Sequence, residues 1–305
     1  MNILIICSAN SGKIMPFITE QGDELIRQGH EVDYLPVRSK GIKGYLKHLP
    51  VLKAQLKEKN YHLVHAHYGL SGALAVLQRQ VPVVITFHNG ETLTRKGNLV
   101  SSVASLFSVW NIYVAQHIYD LTYFKQPRHS TVLPCGIPVE KFVLYEKQKA
   151  RELMGLPADK INVLFGGAFA NLRKNVALAQ EAVRITGRND IHLVELKGYN
   201  REQVNQLLCA VDFMLLPTKS EGSPQIVKEA MACNCPIVAT DVADIAVLMN
   251  NTPGTFLTGF DPHDVANKIE QAIAFGQRTS GRGWIEQYDN GEIVKQIVDI
   301  YHKII

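Results

Sequence analysis

Two glutamates stand eight positions apart in Ser220-Glu221-Gly222-Ser223-Pro224-Gln225-Ile226-Val227-Lys228-Glu229-Ala230-Met231-Ala232. The apolar run 212–217 before this string has the length and composition of a buried parallel strand. Ile226, Val227, Ala230 and Met231 then keep helical spacing. Ser223 is the expected N-cap and Pro224 the first helical residue. The N–H groups of Gln225, Ile226 and Val227, with the turn at Gly222 and Ser223, then form an anion site at the carboxyl edge of a sheet. A diphosphate suits that site. Carboxylates beside it repel phosphate but accept hydrogen bonds from sugar hydroxyls. Taken singly, each Glu is an ordinary capping or solvated residue.

A second cluster lies in residues 165–175, Phe-Gly-Gly-Ala-Phe-Ala-Asn-Leu-Arg-Lys-Asn, where a strand passes into a helix. Arg173 and Lys174 fall at the helix start, where cations oppose the helix dipole, and an anionic ligand would offset that cost. Histidines end two strand-like runs in the first half, His65 and His67 in HLVHAHYGLSG and His88 in VVITFHNGE. His65 reads as structural, and His67 and His88 as cleft-side residues able to polarise a hydroxyl. Asn89, Gly90 and Glu91 line an acceptor or only shape the loop, and Ser11 and Gly12 occupy the first strand–helix turn. No D-x-D ends a strand, and no His, Cys and carboxylate set has metal-ligand spacing, so no metal is expected.

At 305 residues with a formal charge of +4, the chain is long enough for two domains and too mildly basic to imply a nucleic-acid partner. The five cysteines are scattered, and Cys233-x-Cys235 lacks zinc spacing, which favours packing. The opening MNILIIC reads as a strand rather than a signal peptide, and a reducing cytoplasm is the expected compartment. Strands are expected at 2–7, 31–36, 62–66, 81–87, 110–114 and 131–133. A second series falls at 162–165, 191–196, 213–216, 236–240 and 255–257, and 145–151 reads as a polar linker. Strands alternating with helices make two doubly wound parallel sheets. The run from Arg38 to Lys59 holds seven basic residues against Glu58 alone, with Ile42, Tyr45, Leu46, Leu49 and Leu52 between them. Such a run is either a helix with a solvated basic face or a peripheral membrane surface for anionic lipid.

The string 221–229, continued by EAMACNCPIVATDV, resembles the E-x7-E signature of retaining GT-B glycosyltransferases of the GT4 type. The resemblance covers nearly the whole chain and is strongest over 162–241. It implies an α/β GT-B architecture of two Rossmann-like domains facing a central cleft. Residues 1–145 would form the acceptor domain, with a helix at 285–305 crossing back onto it, and 146–284 the nucleotide-sugar donor domain. Glu221 would touch the transferred sugar and Glu229 the ribose. Lys174 falls on the lysine of the family's G-R-x4-K pattern; Phe169 stands where the arginine would be, and Arg173 is a neighbour able to substitute. His88 matches a histidine close to the donor sugar. Cys135 replaces the usual Asn of the interdomain connection. Between Leu196 and Asp212 there is room for one helix only, which leaves the turn at Lys197 and Gly198 to hold the base.

The implied activity is retaining, metal-independent sugar transfer without a cofactor. The donor would be a UDP-sugar rather than a GDP-sugar, and the acceptor a glycan or lipid-linked molecule of surface polysaccharide synthesis. The 38–59 run would touch the inner membrane face. Two alternatives share the architecture, a nucleotide-sugar 2-epimerase and a non-catalytic subunit supporting a partner transferase.

Overall fold

The computed structural model describes residues 1–92 and 94–305. They form two compact units, Met1–Gly136 with Tyr288–Ile305, and Ile137–Gln287. The first unit is built on a six-stranded sheet of β1 (Asn2–Ser8), β2 (Glu31–Val37), β3 (Leu63–His67), β4 (Val83–Phe87), β5 (Trp110–Tyr113) and β6 (Ser130–Val132). Every pairing is parallel, in the order β2-β1-β3-β4-β5-β6. Strand alternation divides β1 cleanly: Leu4 and Ile6 join one core layer with Leu52 and Leu74. Ile3, Ile5 and Cys7 join the other, with Ile18 and Leu25 of the helix Pro16–Arg27 and with the C-terminal helix Asn290–Ile304. That last helix buries Ile293, Val294, Ile297, Ile300 and Tyr301. At about 1.5–3 kcal/mol per buried side chain, it contributes on the order of 10 kcal/mol to this unit.

The second unit carries β7 (Ile161–Phe165), β8 (Ile191–Glu195), β9 (Phe213–Leu216), β10 (Ile237–Thr240) and β11 (Thr255–Thr258). These strands are also parallel, in the order β11-β10-β9-β7-β8. Phe165, Phe213, Leu215 and Val238 pack beneath the helices Val176–Ile185 and Pro262–Phe275. One helix, Arg201–Ala210, joins β8 to β9.

Two boundaries differ from the sequence expectation. Residues 137–145, read with the first domain, pack in the second unit. Arg282 Nη1 donates to Phe142 O at 2.6 Å and its Nη2 to Val139 O at 3.1 Å, and Phe142 is fully buried. The expected linker 145–151 lies instead mainly in the helix Lys147–Met154, capped by Glu146. Two of its cations have a partner: Lys147 and Arg151, one turn apart, both reach Asp212 at 2.6 Å.

Candidate active site

In an open parallel sheet the ligand crevice lies beyond the strand carboxyl ends, where the strand order reverses. In the second unit that point falls between β7 and β9. β7 leads into Gly166 and Gly167, and β9 into Thr218 and Glu221. Lys174 Nζ donates to Glu221 Oε1 at 2.8 Å, and Thr218 Oγ1 donates to the same oxygen at 2.9 Å. The pair is largely sheltered, with side-chain exposures of 14% and 10%. The turn bearing Lys174 is tied to β9 by Lys219 N–H, which donates to Arg173 O at 2.9 Å. Arg173 itself is exposed. Gly167 has a specific reason to be glycine: a Cβ there would lie 2.6 Å from Lys174 Cγ. The lysine stem lies across that glycine.

The helix begins one residue later than expected. Pro224 is the N-cap, in extended conformation, and the helix runs Gln225–Ala232. Val227 N–H is therefore taken by Pro224 O at 3.2 Å, which leaves Gln225 and Ile226 as the first amides without an intrahelical acceptor. Ser223 does not cap. Its hydroxyl is buried with no partner among the described residues. Such a buried hydroxyl is a donor that an oxyanion ligand would satisfy.

Glu229 is 7% exposed and ion-paired with Arg201, the first residue of the helix Arg201–Ala210. Arg201 also lies over the Phe142 ring at 5.4 Å. Sequence reading missed this arginine. The only local signal was the capping box formed by Asn200 and Gln203, which marks a helix start but no partner. Lys197 and Gly198 lie exposed beyond β8, at the same carboxyl edge as β9 but two places along the strand order.

In the first unit the order reverses between β1 and β3. A cavity of about 570 Å³ opens there, lined by Ser11, Tyr45, Tyr68, Glu91, Lys96 and Val100 among others. Glu91 reaches it from the loop after β4, with Oε1 accepting the His88 backbone N–H at 2.9 Å. Its Oε2 is buried with no partner among the described residues. Burial pushes the carboxyl up to about 7, against hydrogen bonds from the Glu91, His88 and Gly69 backbone that pull it down. Gly12 shapes the β1 turn at φ +92°, and Asn89, at φ +101°, is buried, with Thr92 donating to its carbonyl oxygen. Neither belongs to the cavity lining as Ser11 and Glu91 do.

Three imidazoles form a row beside that loop, His65 and His67 fully buried and His88 partly exposed. His65 and His67 stack at 4.6 Å between centroids, and His67 Nδ1 lies 3.0 Å from His88 Nε2. The Tyr301 hydroxyl caps the inner end at His65 Nδ1, while His65 Nε2 meets Thr86 Oγ1 at 2.7 Å. Burial lowers His65 to about 3 and holds His67 well below the usual range, so both are neutral at pH 7. The outer His88 is flanked by Phe17 and Tyr68, with Cys135 Sγ at 3.6 Å from Nδ1. Both His88 ring nitrogens are thus directed at protein groups.

Comparison with known proteins bears on the family and the fold. A family model described as a glycosyl transferase 4-like domain matches residues 5–124, and one described as glycosyl transferases group 1 matches residues 159–274. The chain belongs to the group 1, GT4-type glycosyltransferases. A Bacillus subtilis protein described as the teichuronic acid biosynthesis glycosyltransferase TuaC is 28% identical over 226 residues, covering 65% of this chain and 58% of its own. A D-inositol 3-phosphate glycosyltransferase of Geodermatophilus obscurus is 24% identical, covering 73% and 61%. The chain therefore spans about three fifths of the length of these two curated relatives. Among solved structures, sucrose-phosphate synthase of Thermosynechococcus elongatus superposes with TM-score 0.85 at 17% identity, covering 99% of this chain and 98% of that one. Anabaena HepE in complex with UDP and glucose gives 0.79 at 16% identity, covering 99% and 100%. The fold is GT-B.

Proposed function

We propose that this group 1 glycosyltransferase moves a sugar, with retention and without a metal, from a UDP-sugar to a glycan or lipid-linked acceptor in surface polysaccharide synthesis. The observation that carries the reading is the sheltered Lys174–Glu221 pair at the β7/β9 switch point, beside the first amides of the helix Gln225–Ala232. A diphosphate arriving there takes hydrogen bonds from Lys174 and from the Gln225 and Ile226 amides, with the Ser223 hydroxyl and exposed Arg173 beside it. Lys174 then turns from Glu221 to phosphate, and Glu221 becomes an acceptor for a sugar hydroxyl, still oriented by Thr218. Glu229, steadied by Arg201, accepts from the ribose, and the turn at Lys197 and Gly198 meets the base.

Charge builds on the departing diphosphate in the transition state. Donors already aimed at it lower the barrier, because they need no reorganisation as the bond breaks. In this account the leaving phosphate takes the acceptor proton on the same face, and the configuration is kept. His88 serves the acceptor side of the first unit, its ring held by His67 and Cys135. Ser11 and Glu91 bind the acceptor in the first-unit cavity, and the reaction runs in the cytoplasm, with the 38–59 run against the inner face of the membrane. The HepE complex with UDP and glucose and the teichuronic acid role in the TuaC name support the UDP donor and the polysaccharide setting.

Slow donor hydrolysis tests this without an acceptor. Proton NMR of a UDP-α-sugar with enzyme and EDTA should show the free sugar appearing first as the α anomer. Initial release of the β anomer, or a rate abolished by EDTA and restored by a divalent cation, contradicts the reading. Formation of an epimeric sugar would mark an isomerase instead.

A further inference from the structure

The helix Arg95–Phe107 in the first unit is built inside out. Its buried residues are Asn98, Ser101, Ser102, Ala104 and Ser105. Its apolar stripe Leu99, Val103, Leu106 and Phe107, spaced for one helix face, is exposed at 49, 41, 45 and 62%. A surface helix normally turns that stripe to the core. The inversion is structural rather than a fraying end: Gly69 accommodates the small face so closely that a Cβ there would lie 1.8 Å from Ser101 Oγ. The segment 121–124 extends the stripe with Leu121, Tyr123 and Phe124, each more than two fifths exposed. Hydrogen bonds join the two, Asn98 Nδ2 donating to Leu121 O at 2.8 Å and Tyr123 N–H to Ser102 Oγ at 3.0 Å. A contiguous exposed patch of this kind marks an interaction surface.

Charge identifies the partner. Residues 95–107 and 121–130 contain no Asp or Glu, and exposed Asp120 is the one acid directly flanking them, against exposed Arg95, Lys96, Lys125 and Arg128. Arg95 and Lys96 occupy the first helical turn, where cations oppose the dipole and an anion relieves the cost. The flank of the same helix lines the first-unit cavity through Lys96, Gly97 and Val100, and Ile42 and Tyr45 of the lysine-rich run line it too, with Ile42 and Leu46 exposed. The cavity mouth is therefore bordered on two sides by exposed apolar side chains and cations. We propose that the 95–107 stripe with 121–124 is a membrane-docking face for bilayers containing anionic lipid, inserting Leu106, Phe107, Tyr123 and Phe124 at headgroup depth. A protein partner would want hydrogen-bonding groups of both signs around an apolar centre, and this rim offers cations. The inference extends the transferase reading by naming the surface from which a lipid-linked acceptor would reach the cavity.

Sedimentation of the full chain with vesicles of equal parts phosphatidylglycerol and phosphatidylcholine tests it. The wild type should pellet at low salt and be released by high salt or by pure phosphatidylcholine. Leu106→Ser/Phe107→Ser should bind about tenfold more weakly or worse at an unchanged melting temperature. Arg95→Gln/Lys96→Gln should lose about tenfold and flatten the salt dependence. No wild-type pelleting, or equal pelleting by the serine variant, overturns the proposal. So does a concentration-dependent dimer that the serine variant abolishes, since a second copy would then cover the stripe. Donor-induced thermal stabilisation, read in parallel, separates this failure from failure of the transferase reading, because the stripe lies in the other unit from Lys174 and Glu221.

Discussion

Lys174 and Glu221 satisfy each other across 2.8 Å, with Thr218 donating to the same carboxylate oxygen. In the proposed reaction a diphosphate takes Lys174 and frees the carboxylate for a sugar hydroxyl. Glu91 is the opposite case, a carboxyl with one anchored and one orphaned oxygen, pushed up to about 7 by burial against an ordinary 4.5. The protonated form is the one the fold favours. Its contribution to stability is therefore full below pH 4.5 and is lost as the pH rises through 7, amounting to at most about 3 kcal/mol. Neutral His65 and His67 tilt stability the other way, since the unfolded histidines bind protons more readily as the pH falls below 6.5. The clean readout is thus a difference: Glu91→Gln, which keeps the Oε1 acceptor, should lose less stability than wild type between pH 5 and pH 8 in denaturant unfolding, as estimated from these shifts. Parallel curves would mean the carboxyl is not buried as described. At this scale the family resemblance singled out Glu221, Lys174 and Glu229 in the sequence, and the structure pairs two of them, Lys174 with Glu221. Arg201 was not legible there: its partner is 28 residues away, and an arginine opening a helix looks solvated.

At the scale of elements, the two turns after β7 and β9 work as one device, since glycine at 167 leaves room for the lysine that reaches across to the other turn. Gly167→Ala should push the Lys174 stem aside and lower the rate of donor hydrolysis about 10- to 100-fold, because catalysis falls steeply with misplacement. The same substitution should cost little further in a Lys174→Ala background, as expected for two residues acting as a unit. Additive losses would sink the idea that Gly167 acts through Lys174. The strands were readable because doubly covered parallel strands are continuous apolar runs, and Phe213–Leu216 falls where the pattern put it. The helix start at Gln225 was missed by one residue. The serine looked like a cap, but Pro224 keeps an extended ψ of 115° and takes that place itself. The run 145–151 misled for a different reason: two of its cations, Lys147 and Arg151, pair with Asp212, a contact no local pattern encodes.

At the scale of the whole molecule, one chain builds the same solution twice, a parallel sheet with its working residues gathered where strand order reverses. In each unit a carboxylate reaches that point from a loop, Glu91 in the first and Glu221 in the second. The inverted helix Arg95–Phe107 shows the limit of pattern reading, since leucine, valine and phenylalanine at helical spacing look the same whether they face the core or the solvent. Which way they face is decided by the serines that pack so tightly behind them. The central claim is that the second unit holds a nucleotide diphosphate through Lys174 and its ribose through Glu229. Isothermal titration of UDP and of uridine into wild type, Lys174→Ala and Glu229→Ala tests it most directly. Lys174→Ala should weaken UDP about 10- to 100-fold, the worth of one charge-assisted bond, and leave uridine unchanged, whereas Glu229→Ala should weaken both. Equal UDP affinity in wild type and Lys174→Ala, or uridine binding untouched by Glu229→Ala, would contradict the account.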